Sequence, residues 1–385
     1  MLLRGLHIAQ EPSPVDILIE RGHIAAIYPA GAGPQTAAGS PDLSGLVAWP
    51  GIINAHDHLE FNCYPPLRRR SYQNYLDWSA DLHQQYPEII KRVEAIPREA
   101  RVQYGILKNL LNGCTTVIDH GAAPARSPLL HIAGGYRYLH SLRLHRKWKQ
   151  QLALSRRGLP FMVHLHEGFG RKVENDLKRL RRWNIRRHPI IGVHGISLDP
   201  AEADYLAGLI WCPGSNDFLY GKTAPVDALF DRLPLLFGTD STLSGPWVMA
   251  EHFATARKHS QLSDAQLVQI LYDGPARLFP ALGSRNHIAP GQVADLVIYR
   301  PPAGSHTLSP LDAHPEDIAM VLCAGKPVLM EQTLLSNLPE ERRADYFGIE
   351  VGSYSRLVAK EIDKALLAAL QPIADLLPIS IQAID

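Results

Sequence analysis

The stretch that decides the fold is Trp49-Pro50-Gly51-Ile52-Ile53-Asn54-Ala55-His56-Asp57-His58. Its apolar residues indicate a strand, and two histidines separated by one residue end it. Because residues i and i+2 of a strand point to the same side, His56 and His58 present two imidazoles next to each other. This spacing favours a chelating pair for a metal such as Zn²⁺ or Fe²⁺, although two surface histidines at a strand end show the same pattern.

Polar residues end three further apolar strands. His164, His166 and Glu167 follow one of them, His194 ends the next, and Asp240 follows the last. In a parallel βα barrel the carboxyl ends of all strands meet at one face, where active sites lie. The four strand ends would deliver histidines and an aspartate to one rim, and this repeated coincidence predicts a metal centre.

The middle of the chain alternates apolar strands with amphipathic helices. This rhythm predicts an α/β fold with a mainly parallel sheet and helices outside it. The number of residues in 49–283 is close to the ~250 of an eightfold barrel, so we expect a (β/α)8 TIM-like barrel. An eighth strand is not visible in the sequence. The seven predicted strands are Leu46–Ala55, Cys114–His120, Gly135–Ser141, Pro160–His166, Pro189–Ile196, Gly208–Cys212 and Pro234–Thr239. Helices are predicted at Arg98–Leu111, Leu142–Arg157, Lys172–Trp183, Pro200–Leu206 and Val226–Leu233.

Both ends of the chain are rich in short apolar runs with turn residues between them. We therefore expect residues 1–48 and 284–335 to form one small β domain together, beside the barrel of residues 49–283. Residues 336–385 are predicted to be a helical tail, with Ser355–Leu370 as its clearest helix.

The composition excludes several classes of protein. The 39 basic and 38 acidic residues give a net charge of +1, which provides no general attraction for nucleic acid. Hydrophobic and charged contents of 46% and 20% are those of a globular protein, and the four cysteines form no CxxC motif. No apolar run reaches 18 residues and the amino terminus does not resemble a signal peptide. We therefore expect a cytoplasmic protein with neither a membrane span nor a nucleic-acid partner.

The motifs together resemble the amidohydrolase superfamily, in particular its branch of cytosine-deaminase-like and chlorohydrolase-like metal-dependent hydrolases. They occur in the order of that family and cover about residues 1–330. The motifs are Pro50–His58, Gly113–Asp119, His164–Glu167, Val193–Gly195, Cys212–Asn216, Gly238–Ser241 and Pro290–Leu296.

The resemblance implies a barrel with a metal centre and a small β-sandwich domain built from both chain ends. Its metal ligands would be His56, His58, His164 and Asp240, and the HxxE pattern favours His164 over His166. Glu167 and His194 would transfer protons, with Asp240 acting as a base as well as a ligand. We expect one divalent metal, because the candidate middle strand Gly135–Ser141 holds no Lys or Glu that could bridge two. Zinc is the first choice, with iron or manganese as alternatives. Further candidates for the pocket and its surroundings are His120, His166, Glu60, Asn62 and Ser241.

The resemblance also implies a function, which is the hydrolysis of a C–N bond, foremost the deamination of a heterocyclic amine by a metal-activated water. Hydrolysis of an amide or cyclic amide, or dechlorination, are alternatives on the same scaffold. The partner would be a small-molecule substrate, and the family favours a homodimer. Only 44 positions separate His120 from His164, fewer than is usual in this branch, so a reduced roof over the site is expected.

Two basic stretches remain. In the loop after His58, arginines Arg68–Arg70 stand among aromatic residues and could hold a carboxylate or phosphate, although a solvated surface loop fits them as well. Lys178–Arg187 is predicted to be the solvated outer face of a helix.

Overall fold

The computed structural model describes residues 1–9, 11–34, 41–121 and 126–384. These residues form an α/β fold in which one large mixed sheet accompanies two smaller parallel sheets. The strands are β1 Leu2–Ile8, β2 Val15–Glu20, β3 His23–Pro29, β4 Val47–Pro50, β5 Ile52–Asp57, β6 Cys114–Asp119, β7 His131–Ile132, β8 Arg137–Leu139, β9 Phe161–Leu165, β10 Ile190–His194, β11 Gly208–Trp211, β12 Leu235–Phe237, β13 Leu296–Tyr299, β14 Ile318–Cys323, β15 Lys326–Met330, β16 Tyr346–Val351, β17 Tyr354–Ala359 and β18 Ile381–Ile384. The α-helices are α1 Tyr75–Gln85, α2 Pro87–Glu94, α3 Arg98–Leu111, α4 Trp148–Leu154, α5 Arg171–Glu174, α6 Asp176–Trp183, α7 Pro213–Tyr220, α8 Val226–Leu229, α9 Met249–His259, α10 Asp264–Leu278, α11 Glu340–Arg343 and α12 Lys364–Ala368.

The two parallel sheets carry the strand ends that the sequence singled out. Their orders are β5-β6-β7 and β12-β11-β10-β9-β8, and every pairing within them is parallel. Backbone hydrogen bonds join the two sheets just beyond β12, where the amides of Thr239 and Asp240 donate to the carbonyl of His56 at 3.0 and 2.9 Å. The ends of β5 and β12 are thereby fixed next to each other.

The first predicted strand, Leu46–Ala55, is two strands that belong to different sheets. β4 pairs with β13 in the large sheet, and β5 pairs with β6. The chain changes sheets at Gly51, where a Cβ atom would lie 2.1 Å from Oγ1 of Thr115. Only glycine fits this close approach, which explains why the change happens at that residue.

One unit of the expected barrel is reduced to a single extended segment. β7 pairs with β6 and β8 pairs with β9, but only four residues lie between β7 and β8. Two neighbouring parallel strands need a crossover of about a dozen residues or more. β7 and β8 are therefore two parts of one pass of the chain, and the helix that would normally separate them is missing from this unit. The sequence predicts the second part of this pass as the strand Gly135–Ser141 and gives no sign of β7.

The large sheet brings together both ends of the chain, as predicted. Its order is β18-β16-β17-β15-β14-β13-β4-β1-β2-β3. The prediction of a helical tail is wrong for most of residues 346–384, because β16, β17 and β18 extend this sheet. The two-residue turn Gly352-Ser353 forces the hairpin, with Gly352 at φ 56° and Val351 paired to Tyr354. Of the predicted helix Ser355–Leu370, only α12 is helical.

The helices agree with the sequence best where apolar periodicity is long. α3 is confirmed over Arg98–Leu111, whereas the predicted helix Leu142–Arg157 is confined to α4. α9 and α10 are not among the predicted helices. Ser263 and Gln266 form a capping box at the amino end of α10, a pattern that indicates a helix start. No helix in the described part of the chain is long and apolar enough to cross a lipid bilayer.

A buried ion pair fixes the strand that carries the two adjacent histidines. The carboxylate of Asp57 accepts hydrogen bonds from Nζ of Lys108 at 3.0 Å, from Asn109 at 2.9 Å and from Asn62 at 2.7 Å. The Lys108 ammonium also donates to Oγ1 of Thr239 at 3.1 Å. Asp57 and Lys108 are 0% and 2% exposed, so neither charge is solvated by bulk water. The network ties β5, α3 and the residue before Asp240 into one unit.

Removing the ammonium should destabilise the protein strongly. In Lys108→Met the Asp57 carboxylate stays buried without its counterion, and we expect a loss of about 3–5 kcal/mol in the free energy of unfolding. Urea denaturation of the metal-free protein measures this loss. Lys91→Met is the matched control, because Lys91 is exposed on α2 and its replacement should change stability by less than ~0.5 kcal/mol. Equal effects of the two substitutions would contradict the role of the ion pair.

Candidate active site

Three histidines from two strands converge at the rim of the parallel sheets. Nε2 of His56 lies 3.2 Å from Nε2 of His164, and the ring nitrogens of His56, His58 and His164 all lie within 4.8 Å of one another. All three side chains are buried. Burial, and then the neighbouring histidines, hold the pKa values of His56 and His164 well below their usual range. These two rings are therefore neutral, the form in which imidazole binds a metal.

Asp240 completes this group from the end of β12. Its Oδ1 lies 3.5 Å from Nε2 of His58 and 3.9 Å from Nε2 of His56. The other oxygen, Oδ2, accepts hydrogen bonds from the hydroxyls of Ser215 and Ser244, both at 2.8 Å. Burial acts to raise the pKa of Asp240, but the nearby histidines and the two hydroxyls outweigh it and lower the pKa below its usual value. Asp240 is thus an oriented carboxylate with one oxygen directed at the histidines.

Three of these strand ends have a left-handed backbone. His166, His194 and Asp240 have φ angles of 53°, 73° and 58°, a region that residues other than glycine rarely adopt. At His166 this turns the ring away from the group and towards Ser197, whose hydroxyl lies 3.4 Å from Nδ1. The structure therefore places His164 in the group and His166 outside it.

Glu167 lies beside the three histidines on the cavity side. Its Oε1 accepts a hydrogen bond from the Tyr220 hydroxyl at 2.9 Å, while Oε2 lies 3.5 Å from Nδ1 of His164 and 3.8 Å from Nε2 of His194. Oε2 makes no hydrogen bond within the described residues. Burial is the main reason that the pKa of Glu167 is raised. A carboxyl group with a raised pKa can carry a proton at neutral pH and donate it.

His194 is oriented by Asn216. Its Nδ1 lies 2.9 Å from Oδ1 of Asn216, an acceptor, so the ring proton is on Nδ1. In the neutral ring Nε2 then carries the lone pair, and it faces Glu167 without a hydrogen bond among the described residues. The geometry makes His194 a proton acceptor at the site.

Two more histidines belong to this cluster. The His120 ring lies 4.6 Å from the ring of His164 between centroids, and neither of its nitrogens has a hydrogen-bond partner among the described residues. His140 lies 4.7 Å from His164 and lines the cavity. Sequence reasoning named His120 but missed His140, even though His140 ends a predicted strand just as His56, His164 and His194 do.

The other predicted pocket residues are divided. Ser241 lines the cavity. Asn62 is fully buried and holds Asp57, so it supports β5 and does not reach the cavity. Glu60 pairs with Arg98 at 2.8 Å and does not line the cavity either.

A cavity of about 270 Å³ opens above the histidines. Its outer wall comes from α1, α2 and the loop before them, and none of the described residues around it is Lys or Arg. Arg68 instead stacks on Phe218 at 4.6 Å and Arg69 binds Gln85, so the arginine loop is a surface feature. The cavity is lined by His58, Phe61, Tyr64, Tyr75, Trp78, Ser79, Leu82, His83, Ile90, Glu94, His140, Leu144, His164, Glu167, Asp240, Ser241, Leu243 and Ser244.

The donor atoms fit a divalent metal ion. Zinc–nitrogen bonds of 2.0–2.1 Å in a tetrahedral site place two nitrogens about 3.4 Å apart. The 3.2 Å between Nε2 of His56 and Nε2 of His164 is close to this value, and no proton need lie between the two atoms. Neutral imidazoles with one carboxylate are a donor set that suits zinc, iron or manganese. The site could therefore hold one such ion.

Comparison with known proteins gives the same fold over nearly the whole chain. No protein-family model matches the sequence. A 5-methylthioadenosine/S-adenosylhomocysteine deaminase of Syntrophobacter fumaroxidans is 24% identical over 424 aligned positions, which cover 87% of this chain and 94% of that protein.

Solved structures extend this likeness. An adenosine deaminase from Xanthomonas campestris with bound zinc superimposes with a TM-score of 0.66 at 19% identity and covers 97% of both chains. An atrazine chlorohydrolase from Arthrobacter aurescens, also with zinc, gives a TM-score of 0.66 at 16% identity over 89% of this chain and 98% of that one. This chain therefore shares its fold with the zinc-bound deaminase and with the chlorohydrolase.

Proposed function

We propose that the protein is a metal-dependent aminohydrolase that removes the exocyclic amino group of a planar heterocycle. The observation that carries this proposal is the convergence of His56, His58, His164 and Asp240 on one point, with Glu167 lining the adjoining cavity and Nε2 of His194 3.8 Å from its carboxyl group. The deaminases among the similar proteins, and the zinc bound by two similar structures, support the same reaction and the same metal.

His56, His58, His164 and Asp240 would hold one divalent ion, foremost zinc. When bound, such an ion supplies a Lewis acid that lowers the pKa of water from 15.7 towards about 7. His166 would take no part, since its ring faces Ser197. Hydrogen bonds would keep the acidic and histidine side chains of the site in place. Glu167 is held by Tyr220, His194 by Asn216, and Asp240 by Ser215 and Ser244.

The side chains present can perform the proton transfers of a hydrolytic deamination. Oδ1 of Asp240 and Nε2 of His194 face the site as acceptors and can take the proton of the attacking water. Glu167, whose pKa is raised by burial, can donate a proton to a ring nitrogen and then to the departing amine. Water adds to the ring carbon, the C–N bond breaks, and ammonia leaves with the protons that these groups return.

The cavity favours a neutral or cationic substrate. The acidic side chains of Glu94, Glu167 and Asp240 line it together with four aromatic rings, and no described lining residue is Lys or Arg. Apart from the proposed metal ion, no cation would bind a phosphate or carboxylate on the substrate, and the acidic lining would repel such a group. The cavity volume of about 270 Å³ is just below the 300–1,000 Å³ of most small-molecule sites. A single planar ring system with a short substituent therefore fits the cavity best.

The finer features of the fold are part of the same proposal. One apolar cluster, which includes Ile53, Ile118, Met162, Val193, Ile210 and Leu236, takes side chains from both parallel sheets. This shared interior supports a closed barrel in which each of the two parallel sheets forms part of the wall. The large sheet would then form a β-sandwich domain beside the barrel. The four cysteines are buried and free, which supports a reducing, cytoplasmic location, and the family favours a homodimer.

An ammonia-release screen with metal-quantified protein tests the function. Aminated pyrimidines, purines, pterins and triazines would be compared in neutral and phosphorylated forms. We expect at least one neutral compound to release ammonia, and its phosphorylated form to have a kcat/KM at least tenfold lower, because the cavity lining is acidic and no described lining residue is Lys or Arg. Turnover without ammonia would favour amide hydrolysis or dechlorination, and turnover of the phosphorylated form alone would contradict the substrate class.

Paired variants control this screen. Glu167→Gln keeps the shape of the side chain but removes its proton transfer, and we expect kcat to fall by roughly 10²–10⁴. Glu88→Gln changes an exposed carboxylate on α2 and should leave kcat unaltered. If every turnover that is found survives Glu167→Gln unchanged, the assigned role of Glu167 is wrong.

The pH profile should respond to Tyr220. The Tyr220 hydroxyl donates to the Glu167 carboxylate and so lowers its pKa, against the larger effect of burial. Tyr220→Phe removes this donor, so the pKa of Glu167 should rise further. If the reaction needs protonated Glu167, activity falls as pH rises through that pKa, and the alkaline limb of kcat should move to higher pH in the variant. If the alkaline limb of the kcat profile stays in place or moves to lower pH, the limb reflects the titration of a group other than Glu167.

A further inference from the structure

The small net charge of the chain conceals a strong separation of charge. Residues 137–187 contain 15 Lys or Arg and only three Asp or Glu. The rest of the chain therefore holds 24 of the 39 basic residues and 35 of the 38 acidic ones. The basic segment contains α4 and α6, which pack next to each other on the outside of the parallel sheet.

The ends of these two helices form a protruding patch, which we call the loop-tip patch and define as residues 154–157 and 182–187. The two loops touch, since Nη1 of Arg186 donates to the carbonyl of Ser155 at 3.3 Å. They lie just before β9 and β10, at the amino ends of the parallel strands. The candidate active site lies at the carboxyl ends, so the patch and the cavity open on opposite sides.

The loop-tip patch has an unusual combination of side chains. Leu154 is 81% exposed and Ile185 is 80% exposed, and no other large hydrophobic side chain among the described residues exceeds 51%. Five exposed arginines surround them, and none forms an ion pair within the described part of the chain. These are Arg156, Arg157, Arg182, Arg186 and Arg187.

We propose that the loop-tip patch docks the protein onto an anionic membrane surface, with Leu154 and Ile185 inserted among the acyl chains. Aliphatic side chains at the tip of a convex surface gain from entering hydrocarbon, while the surrounding arginines bind lipid phosphates and keep their charge at the interface. This proposal goes beyond the proposed function and does not depend on it, because the cavity stays open on the opposite side.

Nucleic acid fits the patch less well. Single strands bind by stacking bases on aromatic faces. The one aromatic residue in the patch, Trp183, has Nζ of Lys149 4.0 Å from its ring centroid, so one face is already covered. Leu154 and Ile185 offer nothing to a base or a phosphate. The open cleft that Leu154, Ser155 and Arg156 line beside the patch has no Phe, Tyr or Trp among its described residues on which a base could stack.

Vesicle flotation tests the proposal without any need for catalytic activity. The whole protein would be mixed with phosphatidylcholine vesicles and with vesicles that also contain one third phosphatidylglycerol, at low and at high salt. We expect flotation with the anionic vesicles at low salt and little with the neutral ones. Leu154→Ser/Ile185→Ser should weaken partitioning more than tenfold. Arg156→Gln/Arg157→Gln should weaken it roughly fivefold per charge.

Matched controls replace similar residues elsewhere. Ile384→Ser changes a part-exposed aliphatic residue of the large sheet, and Lys222→Gln/Lys360→Gln removes two exposed charges far along the chain. Both should float like the unaltered protein, and circular dichroism checks that all variants are folded. The proposal is overturned if the protein fails to float with anionic vesicles, or if Leu154→Ser/Ile185→Ser floats as well as the unaltered protein. It is also overturned if a single-stranded RNA probe binds the patch while vesicles do not.

Discussion

Asp57 lies between the two histidines of β5, and its carboxylate is held by Lys108 inside the protein. A strand alternates its side chains, so the residue between His56 and His58 must point the opposite way, towards α3. There a carboxylate would be costly to bury unless a cation and several donors met it, and Lys108, Asn109 and Asn62 do so. The same Lys108 binds Thr239, the neighbour of Asp240. The Asp57–Lys108 ion pair thus fixes β5 and the end of β12 relative to each other.

The second constraint is the burial of several histidines around one point. Imidazoles that face one another in a dry site repel any proton, and burial together with these neighbours holds the pKa values of His56, His120 and His164 well below the usual range. Their nitrogens are then lone-pair donors with few hydrogen-bond partners. A divalent cation satisfies such a cluster better than any arrangement of protons could. Glu167 lies beside that cluster and lines the cavity, and Nε2 of His194 lies 3.8 Å from its carboxyl group.

Much of this could be predicted from the sequence, because the chemistry falls at strand ends. Periodicity and the rule that parallel strands end at one face predict that histidines and an aspartate gather at one rim. The selection of His56, His58, His164 and Asp240 from them is what the family resemblance implies. What could not be predicted depends on contacts between distant segments. Tyr220 reaches Glu167 from another helix, and the divided strand at Gly51 reflects contact with Thr115. The pattern of residues 355–370 favours a helix, but the Gly352-Ser353 turn makes β16 and β17 a hairpin. The segment between β6 and β9 is too short to show a strand–helix pattern.

The central claim is that one metal ion is bound by His56, His58, His164 and Asp240. Anomalous X-ray diffraction at the zinc absorption edge, on crystals of the zinc-loaded protein, tests it most directly. The account predicts a single peak about 2.0–2.2 Å from the Nε2 atoms of the three histidines and from a carboxylate oxygen of Asp240. The peak should vanish in His164→Ala and persist in His166→Ala. Two peaks, or one peak bound by His166 in place of His164, would contradict it.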